Sequence, residues 1–164
     1  MLDTRLRLYL MRHGQSHVGG VLDDFNRTLT LSGKHAVQRQ AALLCQPEGI
    51  RPDCIFCSTA KRSRQTADLL ASVFIGTPVF QRESLYLAPA FRMLNLLQKT
   101  DIIFRRILLI GHAPGLDQLT AVLTHPNNRF HFHPADCLSL TLSISNWRDI
   151  QIGSAVLDRC FYAS

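Results

Sequence analysis

The chain has 164 residues, 46% hydrophobic and 18% charged, with a net charge of +6. This length and composition support one sizeable core and exclude a disordered chain, and no apolar stretch approaches the ~20 residues of a membrane span. The positive balance favours anionic partners, but the basic residues gather only at Lys61-Arg62-Ser63-Arg64 and Arg105-Arg106, which argues against a general nucleic-acid footprint.

Met1 to Arg7 carries no apolar stretch before a cleavage site, so a cytoplasmic location is expected. The five cysteines, Cys45, Cys54, Cys57, Cys137 and Cys160, are an odd set, which predicts reduced thiols. Cys54 and Cys57 fall on a predicted strand. Residues three apart on a strand face opposite ways, so this pair cannot chelate one ion and reads as two buried thiols. No linker, repeat or low-complexity segment divides the chain, and a single domain over 1–164 is expected.

The first predicted strand runs from about Arg5 to Met11, and its last part, Leu8-Tyr9-Leu10-Met11, is an apolar run of the kind that is buried on both faces. It ends abruptly in Arg12-His13-Gly14. A glycine-bearing loop, His17 to Thr28, follows. Thr30 or Ser32 can cap a helix running to about Cys45, with Val37, Ala41 and Leu44 on one stripe. Pro47-Glu48-Gly49 ends it. A second strand covers about Cys54 to Cys57. Ser58 or Thr59 caps a second helix reaching about Phe74, and Val79-Phe80 suits a short strand. A third helix spans Pro89 to Lys99 with Phe91, Leu94 and Leu97 inward. Another apolar strand, Ile107 to Ile110, ends in Gly111-His112-Ala113-Pro114-Gly115. A fourth helix carries Leu116, Leu119, Thr120 and Leu123 on one face, and 125–128 reads as a turn. Cys137 to Ile144 alternates like a half-exposed strand, and Trp147 to Val156 suits an edge strand. Strands alternating with helices predict an α/β three-layer sandwich, with a mostly parallel central sheet and helices on both faces.

Two buried strands thus end in a histidine, at His13 and His112. In a parallel sheet both lie at the carboxyl edge, where open α/β sheets place ligands. The second strand ends there too, in Ser58 to Thr66, and brings an arginine in the first helical turn. Arg64 points away from Arg62 on a helix and reads as solvated. This set suits phosphoryl transfer. An imidazole can attack phosphorus and arginines can hold the equatorial oxygens. Water then releases phosphate from a labile phosphohistidine in a second step. Guanidinium supplies the charge a metal would otherwise supply, so no metal and no cofactor are expected.

Arg12-His13-Gly14, the Ser-x-x-x-Arg-x-x-x-Thr run from Ser58 through Arg62 to Thr66, and Gly111-His112 occur in that order. In these three motifs the chain resembles the histidine phosphatase superfamily. Within it the sequence is similar to the small SixA-type branch, the phosphohistidine phosphatases, at four further stretches. These are Asn26 to Gly33, Leu85-Tyr86-Leu87-Ala88, Gly111 to Leu116, and the late strand around Leu138 to Leu142. The resemblance implies His13 as nucleophile, with Arg12, Arg62 and His112 as the phosphate clamp. The expected partner is a phosphorylated protein or a small phosphate ester, with neither nucleic acid nor membrane. The sequence departs from the mutase branch, since Val18-Gly19-Gly20 fills the region where that branch carries an asparagine. It departs from the acid-phosphatase branch too, since Ala113 stands where an aspartate follows the second histidine. Thr28 stands where the SixA-type branch commonly has proline.

An alkoxide leaving group needs a proton in the transition state, whereas imidazole is a better leaving group. The missing aspartate therefore favours phosphohistidine as substrate, and Glu83 is the nearby acid candidate. Gly14, Gln15, Ser16 and Ala113 border the expected site. Gln15 and Ser16 can donate to phosphate oxygens, and Arg27 can either reach the phosphate or tie down its loop. His125, His131 and His133 lack a matching carboxylate or cysteine ligand set and read as solvated or rim residues. Phe130 and Phe132 suit a pocket wall.

Overall fold

Apolar runs with no polar alternation must be covered on both sides, so strands built from them sit inside a sheet between helix layers. The computed structural model describes residues 5–125 and 129–163, apart from the side chains of Val21 and Leu22. The strands are β1 (Leu6–Arg12), β2 (Cys54–Ser58), β3 (Val79–Arg82), β4 (Arg106–Gly111), β5 (Cys137–Leu142) and β6 (Ala155–Phe161). They form one sheet in the order β3-β2-β4-β1-β5-β6. The β1–β4, β2–β4 and β2–β3 pairs are parallel, and β5 and β6 join antiparallel. The helices are α1 (Leu31–Leu44), α2 (Lys61–Ala71), α3 (Ala90–Gln98) and α4 (Gly115–Leu123).

Alternation along β1 sends Leu6, Leu8 and Leu10 into one core and Tyr9 and Met11 into the other. The first core is closed by Met93 and Leu97 of α3 and Leu116, Leu119 and Leu123 of α4. The second is closed by Val37, Ala41 and Leu44 of α1 and Ala67 and Leu70 of α2. Cys54 and Cys57 enter opposite cores, as their spacing requires, and all five thiols are free. The Thr30 hydroxyl caps α1 by accepting the Gly33 N–H. No described helix is long and apolar enough to cross a membrane.

Several expectations shift. The last strand lies at Ala155–Phe161 rather than 147–156. Trp147 instead opens a short 3-10 turn, is fully buried, and donates its indole N–H to the Phe104 carbonyl at 2.6 Å. An indole of that size gains more from full burial with its N–H satisfied than from an edge position facing water. β5 is buried along almost its whole length, not half-exposed, because it lies between β1 and β6 with a core on each face. Phe91 is 67% exposed, and the inward stripe of α3 is Ala90, Met93 and Leu97. α2 starts after Ala60 without a side-chain cap and ends at Ala71, because Ser58 is still part of β2. The turn expected at 125–128 falls largely outside the described residues, as does the reading of Met1 to Thr4.

The approach of α1 to the end of β1 is tight. A Cβ at Gly33 would run into the carbonyl of Gln15, two residues past His13. Gly33→Ala should therefore cost about 1–3 kcal/mol of stability, more than the ~1 kcal/mol gained in helix propensity. Gly20→Ala, where nothing lies within 4 Å, should stay within about 0.5 kcal/mol. Denaturant unfolding of both variants checks the contrast. Equal midpoints would show that the Gly33 approach is not constrained.

Candidate active site

Strand register assembles the site. Arg12 pairs with Gly111 across β1–β4, and Cys57 pairs with Ile110 across β2–β4, so the three strand ends are nearly flush. His13 donates its backbone N–H to the Gly111 carbonyl at 3.2 Å. The His13 and His112 rings therefore meet edge-on, 5.1 Å between centroids. β2 ends beside them and α2 begins, which brings in Arg62 on its first turn. Both imidazoles and Arg62 are buried, at 7%, 4% and 3% exposure.

Hydrogen bonds define the ring states. The Gly14 carbonyl lies 2.7 Å from His13 Nδ1, and a carbonyl can only accept, so Nδ1 carries the proton. His13 Nε2 keeps its lone pair and accepts from Arg62 Nε at 3.1 Å. His112 Nδ1 lies 3.4 Å from Arg62 Nη2 and accepts there. Its Nε2 then donates to Ser58 Oγ at 2.8 Å, and that hydroxyl accepts the Ala60 N–H. Burial pushes His13 down to about 4 and His112 to about 3, helped by the nearby Arg62 and Arg12 charges. Both rings are neutral at pH 7. His13 thus presents an unprotonated nitrogen among guanidinium donors, which is what attack on a phosphorus centre requires.

Each residue of the Ser-x-x-x-Arg-x-x-x-Thr run holds a different strand end. Ser58 holds His112, Arg62 reaches His13, and Thr66 Oγ1 accepts the Gly14 N–H at 3.1 Å. Arg62 and Thr66, four apart, share a face of α2, while Ser58 acts from the end of β2. Arg12 sends Nη1 to the Phe132 carbonyl at 2.8 Å, while its buried Nε has no hydrogen-bond partner among the described residues. Ala135, at φ +67°, donates its N–H to the Arg12 and His13 carbonyls and fastens the turn from behind.

The structure also brings in residues that the sequence did not single out. Asp24 lies on the 3-10 segment Val21–Asn26. Its carboxylate accepts from Arg62 Nη2 at 3.1 Å, Tyr86 Oη at 2.7 Å and Arg27 Nη1 at 2.9 Å. Its backbone carbonyl accepts from Arg62 Nη1 at 2.6 Å. The Tyr86 bond, then Arg62, hold Asp24 down to about 2. Tyr86 also stands edge-on to His112. The carboxylate in the site is therefore Asp24, while Glu83 is exposed and takes no part in this network. The Asp-x-x-Arg spacing of Asp24 and Arg27 in a glycine-bearing loop was the available signal.

The remaining candidates sit at the border. Arg27 ties down its loop, with Nε on the His17 carbonyl and Nη2 on Ser16 Oγ. Gln15 turns toward α1, where its Oε1 accepts from Ser32 Oγ. Gly14 packs so closely that a Cβ would lie 2.6 Å from Val37 Cγ2. Ala113 is half-buried in the turn after His112 and brings no acid. His131 pairs with Asp117 at 2.7 Å, and its ring meets that of His133 at 6.3 Å. Phe130 and Phe132 pack edge-on.

Buried neutral histidines make folding pH-dependent. An unfolded histidine takes a proton below about 6.5, whereas folded His13 refuses it until about 4. The unfolded state binds more protons in that window, so stability falls as pH drops from about 6.5 to 4. The loss from His13 alone is on the order of 3 kcal/mol, and His112 adds to it. Thermal unfolding between pH 7.5 and 4.5 should show this slope, and His13→Gln should flatten it. A native protein with no slope would mean that the rings are not held neutral.

The sequence model of the histidine phosphatase superfamily (branch 1) matches residues 8–86. No curated protein sequence matches the chain. Among solved structures, a candidate phosphohistidine phosphatase SixA from Nakamurella multipartitia superposes with a TM-score of 0.83 at 24% identity, covering 96% of both chains. The protein histidine phosphatase SixA complexed with tungstate gives 0.81 at 20% identity, over 96% of this chain and 97% of that one. A mycobacterial glucosyl-3-phosphoglycerate phosphatase gives 0.72 at 18% identity, over 94% and 97%. With the flush strand ends and their paired histidines in place, residues 8–86 match the histidine phosphatase superfamily, branch 1, and the chain shares its fold with the SixA structures over 96% of its length.

Proposed function

We propose that this protein is a metal-independent phosphatase that works through a phosphohistidine on His13, with phosphohistidine in a phosphoprotein as its substrate. The observation that carries this reading is the unprotonated Nε2 of His13, held 3.1 Å from Arg62 Nε and fixed by the Nδ1–H bond to Gly14. In the first step Nε2 forms a bond to phosphorus as the substrate's P–N bond breaks, and that electron pair leaves on the departing imidazole. The Gly14 carbonyl supports the positive ring that forms on His13. Arg12 and Arg62 hold the phosphoryl oxygens, whose charge must be stabilised through the transition state, and His112 joins them by taking a proton on Nδ1 as Arg62 turns to the phosphoryl group.

Two features favour a phosphohistidine substrate over an alkyl phosphate. No acid follows His112, since Ala113 stands there. The carboxylate that does reach the site, Asp24, is held ionised by Tyr86 and Arg62 and is not a ready proton donor. A phosphorylated imidazole whose far nitrogen is protonated can leave as neutral imidazole without one. The fold shared with SixA proteins agrees with this reading. A second reading, a small-molecule phosphomonoesterase, draws on the fold shared with the glucosyl-3-phosphoglycerate phosphatase.

Comparing a phosphohistidine peptide, a phosphoserine peptide and sugar phosphates at equal concentration separates the two readings. The phosphohistidine peptide should be hydrolysed fastest. His13→Ala should abolish turnover, by at least about 10³-fold, and Arg62→Ala should cost roughly 10²–10³-fold. Hydrolysis that survives His13→Ala would sink the mechanism. Faster turnover of sugar phosphates would favour the second reading.

A further inference from the structure

Arg62 spans two partners that the reaction must separate. One end of its guanidinium lies on the His13 Nε2 atom. The other end, through Nη1 and Nη2, holds the backbone carbonyl and the carboxylate of Asp24. Asp24 sits on the outward side of this bridge, with its side chain 27% exposed against 3% for Arg62. We propose that Asp24 is a catalytic residue of the second half-reaction, the base that takes the proton of the water hydrolysing the phosphohistidine on His13. The proposal rests on the reading of His13 as nucleophile.

The geometry orders the events. A phosphoryl group bonded to Nε2 brings oxygens to the Arg62 donors, so Arg62 exchanges the carboxylate of Asp24 for phosphate. Asp24 keeps its bonds from Tyr86 at 2.7 Å and Arg27 at 2.9 Å, which hold it in place after the exchange. Losing the Arg62 bonds restores part of its basicity, while the Tyr86 bond, the largest influence that holds the carboxyl low, remains. An in-line displacement brings water in along the path by which the first leaving group departed, on the side facing away from His13. Asp24, the more exposed end of the Arg62 bridge, can meet that water from the solvent side.

The other groups within reach are already committed. His112 Nε2 gives its proton to Ser58, and its Nδ1 accepts from Arg62. The Tyr86 hydroxyl donates to Asp24 itself. In the step, the water oxygen bonds to phosphorus while the P–Nε2 bond breaks, and that electron pair returns to Nε2. This restores the neutral ring with its proton on Nδ1. The water proton passes to Asp24 and then to solvent as phosphate leaves.

Rapid-mixing kinetics with p-nitrophenyl phosphate tests this, because nitrophenolate needs no acid to leave. The burst reports phosphorylation of His13 and the steady phase reports its hydrolysis. In Asp24→Asn the burst should stay within about threefold of native, while the steady rate falls roughly 10²-fold or more and acid-labile phosphate accumulates on His13. Tyr86→Phe, which loosens Asp24 but leaves the carboxylate, should slow the steady phase by a smaller factor. Burst and steady rate falling together in Asp24→Asn would mark a structural role and overturn the proposal, as would an unchanged steady rate. A native protein that forms no His13 phosphate, or His13→Ala that still turns over, would instead overturn the reading of His13 beneath it.

Discussion

The parallel pairing of β1 with β4 is the constraint on which the rest depends. Register matches Arg12 to Gly111, so the residues that follow, His13 and His112, stand side by side although almost a hundred positions separate them in sequence. A slip of one residue would turn every side chain of β1 to the opposite face. It would move Leu8 and Leu10 out of one core and Tyr9 and Met11 out of the other. Core packing and active-site geometry are therefore enforced by the same registry. The apolar strands do more than support the site, because their burial fixes which atoms face each other at their ends.

Burial at that edge then sets the electrostatics. Two imidazoles and a guanidinium are all taken out of water there. A buried ring is held neutral by desolvation, and neighbouring positive charge pushes the same way. Arg62 cannot respond by losing its proton, so it needs partners. It finds lone pairs on both rings and an anion in Asp24. The neutral state of His13 is thus a consequence of packing together with the fixed charge of Arg62.

Much of this was legible in the sequence. Continuous apolar runs at 8–11 and 107–110 predicted central parallel strands, and a motif at each strand end predicted that His13, Arg62 and His112 would converge. The run from Ser58 through Arg62 to Thr66 was legible only as a motif of the resembled family, and the structure divides it between the end of β2 and α2. The late elements were less legible. Alternation in Cys137 to Ile144 resembles a half-exposed strand, because the pattern cannot say that a second core lies beneath Cys137. Trp147 read as part of a strand because its partner, the Phe104 carbonyl, is remote in sequence. Asp24 was missed for a similar reason. In isolation Asp23-Asp24 looks like any polar loop, and only the closing of that loop over α2 puts one carboxylate on Arg62. Glu83, close in sequence to Tyr86, drew attention by proximity along the chain, whereas Tyr86 itself turns to Asp24.

The pairing of Arg62 with Asp24 also explains how such a site can exist without substrate. A buried guanidinium with no anion nearby would carry an uncompensated charge, a burden of several kcal/mol. Asp24 removes most of that burden while remaining partly exposed, on a short segment held by Arg27 and Tyr86 rather than by the core. On the proposed phosphatase reading, phosphate binding is an exchange of one anion for another on the same donors, not the filling of a bare cationic hole. Exchange of this kind weakens binding, since the carboxylate must be displaced, but it keeps the clamp ordered between turnovers. It also selects for charge, because a neutral group cannot replace Asp24 without leaving Arg62 unpaired. On that reading, the Arg62 donors are preorganised for a dianionic phosphoryl group by the same carboxylate whose bonds such a group replaces.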